Sequence, residues 1–366
     1  MTTTLDAAEA TARPVYRLPP EAYHDPDWFA RERRELFGRT WNLVGHVSEC
    51  PQPGDYITAQ VGNDPVVVVR QADGTLRGLL NICRHRGMVV ACGSGSCGDS
   101  LRCGYHGWEF GLDGALERVP QRKTQFSDID AGALGLYRVA VQTWGGFIFV
   151  HPDPDADETF AEWLGDFPDH CGDYPWDDLV EIARIRVPLQ CNWKLYIENH
   201  IDWLHLWYLH QDSLKMYEHN EATYATSGWH WYSAEVLREG ADTRVDVDME
   251  TIPGISEQER QTLRANLIFP NVPVATMGNM VQTYQVVPTG PETCELDVRS
   301  YAMPGGVVSD EMRAQGLLIL RDEDGVACEQ MQMATHSSRF EVGPLAIEHE
   351  RPIADFHANL LALMSS

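Results

Sequence analysis

The sequence is short of positive charge. It contains 28 Lys and Arg residues against 54 Asp and Glu residues, which gives a formal net charge of −26 over 366 residues. Proteins that bind nucleic acid present a basic patch to the phosphates, so this balance argues against nucleic-acid binding. The acidic charge is compatible with a cationic substrate or a basic redox partner, but a general role in solubility accounts for it at least as well.

Long apolar runs are also absent. No stretch of 18 apolar residues occurs, so we expect no transmembrane helix and no association with a membrane. The first 14 residues, MTTTLDAAEATARP, have no apolar centre of the kind found in signal peptides, and we interpret them as a flexible leader. Together these features predict a cytoplasmic protein.

The cysteine content does not fit a disulfide framework. The chain has nine Cys residues, an odd number, and we expect it to be cytoplasmic, where disulfides are rare. Cysteines that lie close to histidines in such a chain are better interpreted as metal ligands.

The pattern of apolar residues predicts an α+β fold. An amphipathic stretch over residues 17–38 indicates a short helix. From about 40 to 150, Val-rich runs alternate with Gly, Asp and Pro turns, which predicts a small all-β domain of short antiparallel strands. Beyond 182 we expect a helix near 193–207, strands from about 227 to 303 and helices from about 309 to 335. This order predicts a larger second domain in which helices flank an antiparallel sheet.

A first group of candidate metal ligands lies within the predicted β domain. Cys83-Arg84-His85 is followed, after seventeen residues, by Cys103-Gly104-Tyr105-His106. Two Cys and two His suit either a [2Fe–2S] cluster of the Rieske type or a tetrahedral zinc ion. A zinc finger normally takes both Cys from one loop and both His from the other. Here each loop supplies one of each, which favours the cluster.

These two loops resemble those of a known family. CRHRG and CGYHGWEFGLDG are similar to the cluster loops of the Rieske ring-hydroxylating oxygenase alpha subunits. Rieske proteins of respiratory complexes carry a further Cys in each loop, where this chain has Met88 and Tyr105, so the oxygenase or ferredoxin branch is favoured. The resemblance implies a [2Fe–2S] cluster bound by Cys83, His85, Cys103 and His106.

A second group of candidate ligands follows in residues 192–210, NWKLYIENHIDWLHLWYLH. It contains Asp202, His205 and His210, and two His with one carboxylate form the ligand set of non-haem Fe(II) oxygenases. Asp202 and His205 would share a helix face, but His205 and His210 are five residues apart, which is about 140° around a regular helix. We therefore predict that the helix ends, or contains a π-type turn, between the two histidines.

The family resemblance assigns more specific roles. The stretch resembles the family pattern N-W-K…E-N-x-x-(D/E)-x-x-H-x4-H, which implies that His205 and His210 bind a mononuclear Fe(II). It makes Asp202 a bridging carboxylate, hydrogen-bonded to His205 and to a cluster histidine, equivalent to His106, of a neighbouring subunit. The late EDGVACEQMQ stretch resembles the family's E-D-x3-C-E-x2-Q segment, which implies Asp324 as the third iron ligand, with Asp322 as the alternative.

The resemblance extends over about 40–340 and implies an organisation for the whole chain. An N-terminal helical segment, 1–40, is expected to pack with the catalytic domain. Residues 41–152 would form the Rieske domain, and 153–366 a mononuclear iron domain of the helix-grip type. The resemblance also implies a homotrimer that receives electrons from an NAD(P)H-dependent flavin or iron–sulfur reductase, with or without an intermediate ferredoxin.

The activity implied is that of a terminal oxygenase, which uses O₂ to hydroxylate or oxidatively demethylate a small organic substrate. The EDGVACEQMQ stretch is also similar to the branch acting on quaternary amines such as choline or betaine, although several of those enzymes have Glu where this chain has Asp202. Aromatic residues of the second domain suit a ring substrate or an alkylated ammonium, and equally a packed core: Trp203, Trp207, Tyr208, Trp229, Trp231 and Tyr232. The alternative function is a Rieske electron carrier with an appended, non-catalytic binding domain.

Overall fold

The computed structural model describes residues 13–241 and 252–365. The chain divides into a smaller unit, Glu32–Phe160, and a larger unit that combines 13–31 with the described part of 161–365. Residues 1–12 of the predicted leader and residues 242–251 of the strand region predicted for 227–303 lie outside the described residues.

Antiparallel strands make up most of the smaller unit. Its strands are β1 (Asn42–His46), β2 (Asp55–Val61), β3 (Asp64–Arg70), β4 (Leu76–Leu80), β5 (Ser94–Ser96), β6 (Ser100–Arg102), β7 (Glu109–Gly111), β8 (Leu116–Arg118), β9 (Arg138–Trp144) and β10 (Phe147–His151). They form a seven-stranded sheet in the order β1-β10-β9-β4-β3-β2-β5 and a three-stranded sheet in the order β6-β7-β8.

Strand β3 shows why this unit has two hydrophobic cores. Its sequence DPVVVVR places four Val in a row, and all four are buried. Successive side chains of a strand point to opposite faces, so an uninterrupted apolar run indicates burial on both sides. Val67 and Val69 pack in the core that contains Cys83, Cys103 and Trp108. Val66 and Val68 pack in a second core with residues of β2 and β10.

The larger unit is built on another antiparallel sheet. Its strands are β11 (Val180–Leu189), β12 (Thr223–Ser227), β13 (His230–Val236), β14 (Thr262–Ile268), β15 (Val272–Met277), β16 (Met280–Gly290) and β17 (Thr293–Ala302). The strand order is β11-β17-β16-β15-β14-β13-β12, so apart from β11 each strand pairs with its neighbour in the chain. The predicted α+β class, with a small all-β part and a larger sheet accompanied by helices, is confirmed.

The α-helices are α1 (Pro26–Arg31), α2 (Arg122–Gln125), α3 (Phe160–Leu164), α4 (Trp193–Ile201), α5 (Glu257–Arg260), α6 (Asp310–Leu317), α7 (Asp324–Thr335) and α8 (Arg351–Ser365). Two π-helical segments, Glu32–Leu36 and Leu318–Glu323, follow α1 and α6 directly. Within 13–241 and 252–365, none of the helices combines the length and the apolar character needed to cross a membrane.

Helix α4 is shorter than the sequence predicted. It begins after Asn192, whose side chain accepts a hydrogen bond from the Lys194 N–H at 3.0 Å, and it ends at Ile201. The chain then becomes extended at Asp202, whose carboxylate accepts a hydrogen bond from the Leu204 N–H at 2.7 Å. Asp side chains that bond to nearby backbone groups compete with helix formation in this way. The predicted end of the helix, at residue 207, was therefore wrong. The helix breaks before His205 rather than after it.

A buried ion cluster joins β11 to β17. Asp297 is 5% exposed and accepts hydrogen bonds from the Arg184 guanidinium at 2.6 Å and from Arg299 at 3.2 Å. Burial by itself would raise the pKa of Asp297, but the two guanidiniums hold it below its ordinary value of 3.8. The ionised carboxylate is thus stabilised in the folded state.

We expect Asp297→Asn to lower the free energy of unfolding by about 3 kcal/mol, because it leaves two guanidiniums without their shared buried partner. Since the pKa of Asp297 is lowered by folding, its contribution is present above pH 3.8 and is lost as the pH falls through the lowered value. Urea denaturation followed by circular dichroism at neutral and acidic pH measures both effects. Glu295→Gln on the same strand, where the pair with Arg186 is more exposed, should cost less than about 0.5 kcal/mol.

Candidate functional site

Two loops of the smaller unit repeat the same turn. The Cys83 N–H donates to the Met88 carbonyl at 2.8 Å and the Gly87 N–H donates back to the Cys83 carbonyl at 2.9 Å. In the second loop, Cys103 exchanges the equivalent bonds with Trp108 and Gly107 at 2.9 and 3.0 Å. Gly87 and Gly107 both have a left-handed backbone, with φ of 77° and 70°, which favours glycine at these positions.

These turns bring the two thiols and the two imidazoles together. Cys83 and Cys103 are buried in one core and their thiols interact, and burial raises the pKa of the Cys83 thiol. The Nδ1 atoms of His85 and His106 face each other at 3.1 Å, and the Trp108 ring stacks on His85 with centroids 4.9 Å apart. Two buried thiols beside two converging imidazole nitrogens fit the donor set of a Rieske [2Fe–2S] cluster.

The larger unit brings His205, His210 and Asp324 together. His205 lies on a 3₁₀ turn, Leu204–Trp207, and Asp324 is the first residue of α7. The His210 Nε2 is 2.9 Å from the Asp324 Oδ1, and the His205 Nε2 is 3.6 Å from the same oxygen. One ligand atom from each residue lies within 4.8 Å of the others, which is the spacing a single metal ion requires.

The second nitrogen of each histidine ring is held by an oxygen. The His205 Nδ1 donates to the main-chain carbonyl of Asp202 at 2.6 Å. The His210 Nδ1 donates to the Glu323 carboxylate at 2.7 Å, and the Ser213 hydroxyl donates to the same carboxylate at 2.6 Å. With Nδ1 engaged in this way, each imidazole presents Nε2 to Asp324, and such partners fix the orientation of metal-binding histidines.

Asp202 contacts His205 differently from the sequence-based expectation. The side-chain carboxylate was expected to hydrogen-bond His205, but it lies 3.8 Å from the Nδ1, and the main-chain carbonyl makes the bond instead. The carboxylate is occupied by the Leu204 N–H. Burial raises the pKa of Asp202 to about 7.

The electrostatics of the trio favour the ionised form of Asp324 beside the two histidine rings. Burial would raise the pKa of Asp324, but hydrogen bonding and the charge of His210 hold it below its usual value. Burial lowers the pKa of His205 to about 4, which keeps this imidazole neutral and able to bind a metal. Asn199 on α4 donates a further hydrogen bond to Asp324 at 2.9 Å.

Sequence reasoning missed Glu323. Its carboxylate accepts a hydrogen bond from the His210 Nδ1 at 2.7 Å. A π-helical segment, Leu318–Glu323, ends just before Asp324, so two adjacent acidic residues both reach His210. The alternative ligand Asp322 lies outside the group and pairs with Arg321 at 2.6 Å. In the sequence, the only indication that Glu323 contributes to the site was its position directly before Asp324.

The trio borders a cavity of about 150 Å³. Of the six aromatic residues that the sequence analysis singled out, only Trp203 lines it, and Tyr208 is 76% exposed. The other aromatic walls are Tyr196 and Tyr284, which the sequence analysis did not identify. The Tyr284 hydroxyl donates to the His200 Nδ1 at 2.8 Å, and the His200 Nε2 donates to the Asn266 carbonyl. Met277, Met280, Met312 and several aliphatic residues complete the apolar lining.

Comparison with known proteins finds a matching domain family for each half of the chain. Residues 40–143 match the model of the Rieske [2Fe-2S] domain, and 176–366 match the model of the ring hydroxylating alpha subunit (catalytic domain). The chain is 28% identical over 351 residues to the chloroplastic choline monooxygenase of Beta vulgaris, covering 93% of this chain and 75% of that protein. It is 30% identical over 378 residues to the oxygenase subunit of glycine betaine monooxygenase from Chromohalobacter salexigens, covering 93% and 84%.

A solved structure has the same fold. The quaternary ammonium Rieske monooxygenase CntA superposes with a TM-score of 0.82 at 22% sequence identity, and the match covers 99% of each chain.

We expect Glu323→Gln to weaken Fe²⁺ binding at the His205–His210–Asp324 trio by 10- to 100-fold, because residues that hold a ligating histidine typically have this effect. Equilibrium dialysis against Fe²⁺, with the cluster content followed by visible absorbance, measures the loss. Asp322→Asn is the matched control, since this neighbouring carboxylate is exposed and bonded to Arg321. Equal losses in the two variants would contradict a specific role for Glu323.

Proposed function

We propose that this chain, which belongs to the family of ring hydroxylating alpha subunits and is a Rieske-type non-haem iron oxygenase, acts on a small N-methylated ammonium compound. The reaction is hydroxylation or oxidative demethylation with O₂. The observation that carries the proposal is the apolar, aromatic-walled cavity beside His205, His210 and Asp324. Supporting it, two relatives matched along 93% of the chain are named for choline and glycine betaine, both trimethylammonium compounds.

The family's catalytic domain also argues against the alternative function. An electron carrier with a non-catalytic second domain would not be expected to match the oxygenase model over 176–366. Like its family, the chain uses a [2Fe–2S] cluster and a mononuclear iron. We assign the cluster to a domain of residues 41–152, and the iron to a catalytic domain of 153–366 with which the segment 1–40 packs.

The residues of each centre are part of the same proposal. Cys83, His85, Cys103 and His106 hold the cluster, and His205, His210 and Asp324 hold the iron. Iron bound by two His and one carboxylate has open positions at which O₂ is activated beside the substrate. Trp203, Tyr196 and Tyr284 line that space, where aromatic rings limit the access of water and attract an alkylated ammonium.

Members of this family need electrons from a reductase or ferredoxin and form oligomers. We propose that the donor here is an NAD(P)H-dependent flavin or iron–sulfur reductase, and that the protein works in the cytoplasm as a homotrimer. In that trimer the Asp202 of one subunit connects its His205 to the His106 of a neighbour.

A substrate screen tests the function. With a surrogate reductase, NADH and O₂, we expect choline, glycine betaine or a related methylated amine to stimulate O₂ uptake, with a product heavier by one oxygen or lighter by one methyl group. Mass spectrometry of the product and a formaldehyde assay identify the reaction. His205→Ala should lose the mononuclear iron and all oxygenation, while the visible spectrum of the cluster is retained.

Two results would reject the proposal. One is oxygenation that survives in His205→Ala after its mononuclear iron is lost. The other is a wild-type enzyme that oxidises aromatic hydrocarbons but no methylated amine.

Mixed oligomers test the transfer between subunits. His106→Ala lacks a proposed cluster ligand and His205→Ala lacks a proposed iron ligand, so each should be inactive alone. Oligomers that contain both, isolated with two different affinity tags, should recover activity because an intact cluster of one chain can serve the intact iron site of the next. Adding Asp202→Asn to the His106→Ala chain should abolish the recovery. No recovery in verified mixed oligomers would contradict the arrangement.

A further inference from the structure

A buried acidic side chain of the cavity wall has no place in the mechanism described so far. Glu235 lies on β13, is 2% exposed and lines the same cavity as the His205–His210–Asp324 trio. Its carboxylate accepts a hydrogen bond from the His219 Nδ1 at 2.5 Å. In the part of the chain that the structure describes, no other group donates to this carboxylate.

His219 does not neutralise this charge. It is 6% exposed, and its Nε2 is buried without a hydrogen-bond partner among residues 13–241 and 252–365. An imidazolium donates from both nitrogens, so a buried Nε2 without an acceptor favours the neutral ring that donates only through Nδ1. A neutral His219 ring leaves the charge of an ionised Glu235 carboxylate unbalanced.

No cationic side chain among residues 13–241 and 252–365 compensates it from the cavity. Neither Lys nor Arg is among the described residues that line the cavity. Glu235 pairs with Leu263 of the neighbouring strand β14, and Leu263 also lines the cavity. The next residue of β14, Arg264, is bonded to Glu259 at 2.6 Å. The remaining carboxylates differ from Glu235: Asp324 is bonded by His210 and Asn199, and burial raises the pKa of Asp202 to about 7.

A buried carboxylate without a cation is costly, and a bound cation removes that cost. We propose that Glu235 is a specificity-determining residue that binds the positive nitrogen of the substrate, and that His219 is the positioning residue that holds it. A quaternary nitrogen has no proton to donate, so its recognition requires negative charge and aromatic faces rather than hydrogen bonds. Glu235 and the trio line the same cavity of about 150 Å³, so the proposal places the ammonium methyl groups in the space that the trio borders.

This inference rests on the proposed function and predicts discrimination by charge. The probes are choline and its neutral isostere 3,3-dimethylbutan-1-ol, in which carbon replaces nitrogen, together with glycine betaine and tetramethylammonium. Isothermal titration of the anaerobic holoenzyme gives their dissociation constants, and O₂-coupled product formation gives KM and kcat. The wild-type enzyme should bind choline at least tenfold more tightly than the neutral alcohol.

Glu235→Gln should raise the dissociation constant and KM of choline tenfold or more, leave kcat for choline within about twofold, and leave binding of the neutral alcohol within twofold. Glu235→Asp should retain part of the discrimination, and His219→Gln should lose part of it. Glu221→Gln, an identical change at an exposed residue of the short 3₁₀ turn that contains His219, is the matched control and should behave like the wild type. Cluster absorbance and thermal unfolding verify that each variant is folded.

The outcomes distinguish a failure of the proposed role of Glu235 from a failure of the proposed function. Glu235→Gln that binds choline as tightly as the wild type, or that loses choline and the neutral alcohol equally, overturns the role of Glu235 while the oxygenation of methylated amines stands. A wild-type enzyme that neither binds nor oxidises any of the methylated ammonium probes overturns both.

Discussion

The place where helix α4 ends determines the geometry of the proposed iron site. A regular helix running through 193–210 would separate His205 and His210 by about 140° and direct them to different surroundings. Instead the Asp202 carboxylate bonds the Leu204 N–H, the helix stops at Ile201, and the chain continues as short turns. Both imidazoles can then present Nε2 to Asp324, with Nδ1 bonded to the Asp202 carbonyl and to Glu323.

Features encoded by local sequence were the most predictable. Each Cys-x-His or Cys-x-x-His loop contains its own turn and its own glycine, so the spacing predicted a shared metal site, and the mixture of Cys and His in each loop favoured a cluster over zinc. The α+β class followed from strand and helix periodicity. The end of α4 was harder to predict from the sequence, because it depends on a side-chain hydrogen bond of Asp202 and on a contact with a distant residue. In that contact the Trp203 N–H donates to the carbonyl of His349. Glu323, Asn199 and Glu235 act through contacts between remote segments, which periodicity does not report.

The net negative charge of the whole chain and the negative charge inside its cavity indicate different properties of the protein. The 54 Asp and Glu residues give the chain a net charge that affects solubility and long-range attraction, and the sequence could not connect that charge to a cationic ligand. Among the carboxylates that line the cavity, Glu235 is the one outside the proposed iron site whose hydrogen-bond donor is His219 alone, and the low local dielectric of the apolar walls strengthens its effect on a bound cation. One residue in the right environment therefore says more about a substrate than the net charge of the whole chain.

The number of residues in the helical stretch before Asp324, which includes the π-helical segment Leu318–Glu323, sets the direction in which this proposed third iron ligand points. A π-helical turn holds one residue more than an α-helical turn, so loss of one residue from this segment would restore the regular spiral from α6 into α7. A π-helical turn with one extra residue covers the same rotation as a shorter α-helical turn, so the residues after the deletion would keep their direction and Asp324 would still face His210. The same deletion within the regular helix α6 would turn Asp324 by about 100° away from His210 without altering any of the proposed ligands.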